Sequence, residues 1–362
     1  MARPLIADID LEALRHNYTV AQELAPRSRC MVVIKANAYG HGAVMCAKAL
    51  ETMAPAFAVA SLEEAEALRE AGIDRPILLL EGIFQAEELP RVETLGLWQV
   101  VHSDWQLNAV LNYSSTRPLP VWLKLDSGMH RLGYDPEAFV ERWSRLLAST
   151  DRVCDLHLVS HFASADQCDN LQFEQQQRTI ESVCQRLNAP RCIANSPATL
   201  VKPQTHGQWN RPGIMLYGSN PLASRLPADI TLKPVMTLRS RLIAVQSLAV
   251  GEPVGYGARW HTSQPSRIGV VAAGYGDGYD RHARDGTPVL VDGQRCPLVG
   301  RVSMDMLTVD ISHLPDADVG SEVVLWGRGL GVDEVASHTD TIGYTLLTGI
   351  LPRVPRRYFG GA

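Results

Sequence analysis

Along the first two thirds of the chain, apolar positions alternate between helical and strand spacing. Leu11, Leu14 and Val20 recur at helical intervals behind Asp10, an N-cap residue, which predicts a helix over 10–25. The β-branched run Val32-Val33-Ile34 reads as a buried strand that ends at Lys35. A helix over 43–50, a strand over 57–60 and a helix over 62–70 follow, the last opened by Ser61 with Glu64 at the capping-box position and closed by Gly72. Strand 77–80 comes next. The same alternation continues through 87–94, 97–101, 103–111, 121–125, 136–147, 156–159, 170–187 and 191–194. Strand and helix repeated at this spacing are parallel β/α units, and right-handed crossovers of that number close most naturally into a barrel. Residues 209–211 supply its eighth strand. An open doubly wound sheet is the alternative, because one sequence does not show closure.

After about Pro221 the texture changes. Helical periodicity gives way to short strands over 242–245, 268–271, 289–291, 307–309 and 323–325, with turn signals such as Asp292-Gly293 between them and a short helix over 345–350. The expected fold is α/β: an N-terminal (β/α)8 TIM-like barrel over 1–228 followed by a mainly β C-terminal domain over 229–362.

The 362 residues leave room for a core in both parts, and a net charge of −5 with dispersed Lys and Arg points away from nucleic acid and anionic membrane surfaces. A small-molecule substrate is expected instead. The first residues carry charge before any apolar run suited to export, and no later run has the length of a membrane span, so a cytoplasmic protein is expected. The 7 cysteines contain no C-x-x-C pair and read as small core residues rather than a disulfide framework or zinc site. His157 and His161 stand four apart, but no H-E-x-x-H or cysteine cluster supports a metal, and none is expected.

Lys35 is the first chemical candidate. A lysine placed directly after Val-Val-Ile loses hydration unless its charge is paired or its proton is given up, and an amine so lowered in pKa attacks aldehydes. The C-terminal ends of barrel strands are where such folds keep reacting groups. Four further polar clusters fall at such ends: residues 124–133, including Lys124 and Arg131; 160–163, including His161; 194–197, including Asn195 and Ser196; and 211–214, with Arg211, Gly213 and Ile214. Each alone is an ordinary loop; their shared placement is the signal. In the second part, Gly255-Tyr256-Gly257 leaves a phenol uncovered between two flexible residues. Gly274-Tyr275-Gly276-Asp277-Gly278 lacks the spacing of a dinucleotide fingerprint.

The string Lys35-Ala36-Asn37-Ala38-Tyr39-Gly40-His41-Gly42, followed in order by those four clusters and the Tyr256 segment, resembles the alanine racemases, which are pyridoxal phosphate (PLP) enzymes. The resemblance spans about residues 7 to 356. It implies that Lys35 carries the cofactor covalently, that Tyr39, Ser196, Gly213 and Ile214 bind its phosphate with Asn195 beside them, and that Arg211 faces the pyridine nitrogen. Arg131 would lie near the cofactor's phenolic oxygen and the substrate carboxylate, with His161 in the network under the ring. Tyr256 would be a second base reaching the partner's site in a homodimer, Met304 would meet the partner's substrate carboxylate through its backbone, and Tyr275 would line the entrance, with Arg281 and Arg301 farther out. Lys124 matches a lysine that is carbamylated in many racemases.

The implied activity is interconversion of L- and D-alanine by two opposed bases, Lys35 and Tyr256, supplying D-alanine for peptidoglycan or serving alanine catabolism. One departure is visible: Pro352 stands where many relatives have a tyrosine before Arg-Val-Pro. The rival readings are a racemase of broader or serine specificity, a PLP decarboxylase, and a non-catalytic PLP carrier. The decarboxylases place an acidic residue where this chain has Arg211, and the carriers lack the β domain and Tyr256.

Overall fold

In the computed structural model, which describes residues 3–361, the first sheet is a ring of parallel strands. Arg29–Cys30 and Val32–Val33 form one extended run interrupted at Met31. Its first part pairs with Trp209–Asn210 and its second with Phe57–Val59, while Met31 N–H donates to the Asn210 carbonyl at 2.8 Å. The ring therefore closes, which excludes the open sheet, and the 9 strand segments count as eight barrel strands. Ile77–Leu79, Trp98–Val101, Leu119–Lys124, Val153–Val159 and Arg191–Cys192 complete it in chain order. Phe57–Val59 and Ile77–Leu79 are buried at every position, as strands covered on both faces must be.

Inside the ring, Trp98 stacks on Trp122 at 5.6 Å, Trp209 meets both edge-on, and His157 stacks on Trp122 at 4.5 Å. Trp98 and Trp209 begin their strands, so this aromatic layer fills the barrel on the side away from Lys35. Local signals act largely as expected. Asp10 accepts the Glu12 and Ala13 N–H groups, each at 3.0 Å, and caps helix Leu11–Leu24. Helix Leu62–Glu70 differs: Ser61 makes no capping hydrogen bond, and Glu64 accepts instead from Ala60 N–H at 2.8 Å and, across the fold, from Ala36 N–H at 2.6 Å.

A strand at Ile6–Asp10, ahead of the first helix, belongs to the second sheet. It runs antiparallel to Met236–Leu248 and parallel to Arg356–Phe359. The buried Asp8 carboxylate fixes this junction, accepting from Arg239 Nε at 2.6 Å and from Arg357 at 2.8 Å. Met236–Leu248 pairs first with Glu322–Trp326 and then with Ser266–Val271; a register shift between Leu242 and Ala244 lets it change partners. The Asp292-Gly293 turn joins Pro288–Val291 to Gln294–Pro297 with φ of +48° and +81°, as a two-residue hairpin requires. The second region also leans on the barrel mouth: a Cβ on Gly40 would lie 2.0 Å from the Leu347 carbonyl in helix Gly343–Thr348. Cys30, Cys46, Cys192 and Cys296 are buried, whereas Cys168 is exposed. Among the described residues no helix is long and apolar enough to cross a membrane.

Candidate active site

Val32 and Val33 end in the barrel wall, Ile34 turns the chain, and Lys35 emerges at the C-terminal mouth. The backbone then does something the sequence does not announce. Ala36, Asn37, Ala38 and Tyr39 all take left-handed dihedrals, with φ of 51°, 53°, 53° and 50°. Each non-glycine residue so held costs about 1–2 kcal/mol, so this turn exists only because its surroundings hold it. Asn37 Oδ1 accepts Ala43 N–H at 2.9 Å, His41 Nδ1 lies 3.0 and 2.9 Å from the Ala38 and Tyr39 carbonyls, and Arg356 Nε donates to the Gly40 carbonyl at 2.6 Å. Burial pushes the His41 imidazole down to about 4, so it is neutral and its Nδ1–H donates to those carbonyls.

The turn brings Lys35 and Tyr39 to one wall of a cavity of about 490 Å3. Lys124, Arg131 and His161 line it, as do Asn195, Ser196, Arg211, Gly213 and Ile214. Ser196 Oγ accepts N–H groups from Gly213 at 2.8 Å and Met215 at 3.3 Å, which leaves its own hydrogen to donate to a ligand. Gly213 has no room for a side chain: a Cβ would lie 2.6 Å from the Tyr39 hydroxyl. Asn195 is committed locally, accepting Ala198 N–H at 3.2 Å as the N-cap of Ser196–Val201.

Arg211 is buried and held by neutral acceptors, the Ser160 carbonyl at 2.7 Å, the Cys192 carbonyl at 2.5 Å and the Cys192 sulfur at 3.1 Å. His161 Nδ1 lies 3.3 Å from the same guanidinium. Burial, then the charges of Lys124, Arg211, Arg131 and Lys35, hold the His161 imidazole well below its usual range, so Nδ1 accepts from Arg211 and Nε2 carries the proton. Lys124 ends its strand with the ammonium pushed down to about 7 by burial and then by Arg211 and Arg131. Arg131 is exposed at the rim, on a loop folded by Asp126, whose carboxylate accepts N–H groups from Gly128, Met129 and His130 at 3.0–3.1 Å.

Glu81, which no motif in the sequence singles out, is the only carboxylate on this wall among the described residues. Its Oε1 lies 3.8 Å from Lys35 Nζ, and burial raises its pKa against the pull of Lys35. The available signal is positional, since Glu81 follows the apolar run 77–80 as Lys35 follows its own. Tyr344 and Thr348 also line the cavity, from a helix that nothing in the sequence ties to the barrel mouth. Pro352 does not line it. Tyr256, Tyr275 and Met304 stand apart from the cavity of their own chain. Tyr256 is 69% exposed on a short turn, and Met304 is 54% exposed. Tyr275 packs beside Met304, its N–H donating to the Ser303 carbonyl at 3.0 Å, with the Arg281 guanidinium 5.4 Å from its ring.

The cavity thus gathers four cationic side chains, one carboxylate and a cradle of a hydroxyl and backbone N–H groups, suited to a ligand with several negative charges. The alanine racemase N-terminal domain model matches residues 9–221, and the alanine racemase C-terminal domain model matches 235–358. The chain belongs to the alanine racemase family. An alanine racemase of Chromohalobacter salexigens is 66% identical over 99% of this chain and 98% of its own. The crystal structure of the biosynthetic alanine racemase from Pseudomonas aeruginosa superposes with a TM-score of 0.95 at 51% identity, covering 99% of each chain. An alanine racemase from Bartonella henselae, solved with covalently bound pyridoxal phosphate, matches with a TM-score of 0.90 at 27% identity over 98% of this chain and 99% of that one. For an alanine racemase, the barrel followed by a mainly β region is the expected architecture.

Proposed function

We propose that this protein interconverts L- and D-alanine with pyridoxal phosphate held at the barrel mouth by Lys35. The observation that carries the reading is the joint placement of Lys35, the Ser196–Gly213 cradle and a carboxylate-free Arg211 around one cavity. The residues fit the cofactor. Ser196 Oγ–H, the Ile214 N–H and the Tyr39 hydroxyl offer donors to a phosphate, while the Gly213 N–H orients Ser196 Oγ and the missing Cβ of Gly213 lets the Tyr39 hydroxyl come up beside that backbone. The chemistry supplied by pyridoxal phosphate when bound is electron withdrawal from Cα of an attached amino acid, which acidifies its proton.

The fate of that proton is set by this chain's own residues. Arg211, held on neutral acceptors in the cavity wall, would present a permanent cation to the pyridine ring, one that cannot take up a proton, and would so limit the electron withdrawal available to side reactions. Lys35 moves the Cα proton on one face. Tyr256, from the second region over 229–362, moves it on the other face in the partner's site. Arg131 and the Met304 backbone hold the alanine carboxylate, and Tyr275 lines its approach. Two bases on opposite faces invert the centre without turning the substrate over.

A Tyr256 outside its own chain's cavity makes a homodimer with shared sites part of this reading. Lys124, partly neutral near pH 7, is assigned as a carbamylated lysine: its nitrogen bonds to CO2 carbon, loses a proton, and the resulting anion pairs with Arg131. The test is racemisation of alanine, serine, lysine and arginine from each enantiomer by PLP-loaded protein, with Lys35→Ala as control. Lys35-dependent turnover confined mainly to alanine supports the reading. Bound PLP without racemisation, or equal turnover of the large substrates, overturns it.

A further inference from the structure

The left-handed turn after Lys35 is fastened to its own loop by Asn37 and His41, but its first peptide is held from elsewhere. Ala36 N–H donates to Glu64 Oε1 at 2.6 Å, and Ala60 N–H donates to Glu64 Oε2 at 2.8 Å. Ala60 directly follows the neighbouring barrel strand Phe57–Val59. One carboxylate therefore ties the ends of two adjacent strands together, one residue beyond Lys35. A capping role does not account for this, because a capping-box glutamate bonds the N-cap N–H, and Glu64 has both oxygens turned elsewhere.

We propose that Glu64 is a positioning residue: by pinning the first peptide of the left-handed turn it fixes where the Lys35 amine and the Tyr39 hydroxyl enter the cavity. This rests on the reading that Lys35 and Tyr39 hold the cofactor. Two N–H donors on two carboxylate oxygens require an acid of this length. Glutamine presents one oxygen and turns an NH2 group toward the other donor, and aspartate is a methylene short.

The test has one part that needs no cofactor. In the full-length apoprotein, Glu64→Gln should speed hydrogen exchange at the Ala36 amide by about 10- to 100-fold, the loss of one charge-assisted hydrogen bond. PLP affinity, titrated on the same apoprotein, should fall over about the same range. In the loaded enzyme kcat should fall in both directions while KM for alanine changes less. Ser61→Ala, at the same helix end, should leave exchange and affinity as in the wild type. Adding Ala36→Gly to Glu64→Gln should restore part of the affinity, since glycine holds a positive φ without strain, whereas a fault in helix Leu62–Glu70 would not respond. Unchanged exchange at Ala36, an equal effect of Ser61→Ala, or no rescue by Ala36→Gly overturns the proposal. A wild-type chain that binds no PLP overturns the function instead, and the exchange measurement still decides on Glu64.

Discussion

The barrel mouth and the turn that carries Tyr256 are built on opposite plans. Around Lys35 a costly backbone conformation is held from several sides: by Asn37 and His41 within the loop, by Glu64 from the next β/α unit and by Arg356 from the end of the chain. Tyr39 is buried there, its ring 4.9 Å from that of Tyr217, which donates its own hydroxyl to the Val33 carbonyl at 2.9 Å. Around Tyr256 the support comes from one side, through Arg259 just after the turn, which donates to the Ala283 and Gly300 carbonyls at 3.2 and 2.7 Å and pairs with Asp285. Gly255, Gly257 and Ala258 have φ of 73°, 72° and 47°, no residue of the turn is buried, and the phenol stands in the open. The mouth is preorganised within one chain, while the turn leaves its phenol uncovered, and the proposed function gives that phenol a place in a partner's cavity.

Lys35→Ala removes the centre of the first plan and carries the largest effect. If Lys35 is, as proposed, both the amine that holds the cofactor and the base on one face, alanine racemisation should fall on the order of 10⁴-fold, and the absorbance of covalently bound PLP should vanish. Retained racemisation would place the reacting amine elsewhere. Tyr256→Phe tests the second plan. It should cost about 10²- to 10³-fold in racemisation while PLP affinity stays within about twofold, because Lys35, Tyr39, Ser196 and Ile214, the groups proposed to hold the cofactor, are unchanged. Solvent-proton exchange should be lost preferentially from one enantiomer, the other still being served by Lys35. Equal loss from both would remove Tyr256 from the role of opposed base.

The two plans are not equally legible in the sequence. The barrel is readable because strand and helix alternate with clear periods, and even the eighth strand at Trp209–Asn210 can be placed, although closure itself depends on the pairing across Met31. Most cavity-lining residues follow from strand ends and from a motif, whereas Glu81, Tyr344 and Thr348 do not. What stays hidden is non-local or conformational. Ile6–Asp10 pairs with segments some 230 and 350 positions later, which no local period reports. Four left-handed residues in Ala-Asn-Ala-Tyr contradict local preference, so only the surrounding contacts reveal them. Glu64 looks like a cap because sequence spacing cannot say which N–H a carboxylate meets.

Burial at the mouth also makes it sensitive to pH, through His41. Its imidazole is fully buried and pushed down to about 4, against 6.5 when exposed, chiefly by desolvation. Between those values the unfolded chain binds a proton that the folded chain refuses, so stability is lost as pH falls through 6.5, and the loss levels off near 4. From pH 7 to pH 5 this one residue should subtract about 2 kcal/mol from the unfolding free energy of the apoprotein. Urea unfolding at both values should show that loss, reduced by about the same amount in His41→Gln. A pH dependence identical in the two proteins would mean that His41 does not hold the turn in its neutral form.

Lys124 gives the smallest effect and the one most sensitive to conditions. Its amine, near 7 in the folded protein, is mostly neutral at pH 8 and mostly protonated at pH 6. Only the neutral form adds CO2, so carbamate should accumulate on the alkaline side and be lost on acidification. Glu81 works against it, since a second anion on that wall would face a carboxylate that now balances Lys35. Intact-protein mass spectra should therefore show a CO2 adduct at pH 8 that disappears with acid and is absent from Lys124→Ala. Arg131 is exposed at the rim, and an ion pair there is worth about 0.2–1 kcal/mol, so losing it should raise KM for alanine by about fivefold at most and leave PLP affinity alone. A Lys124→Ala enzyme whose KM rises with acid just as the wild type's does would mean that another group, not the lysine carbamate, orders Arg131.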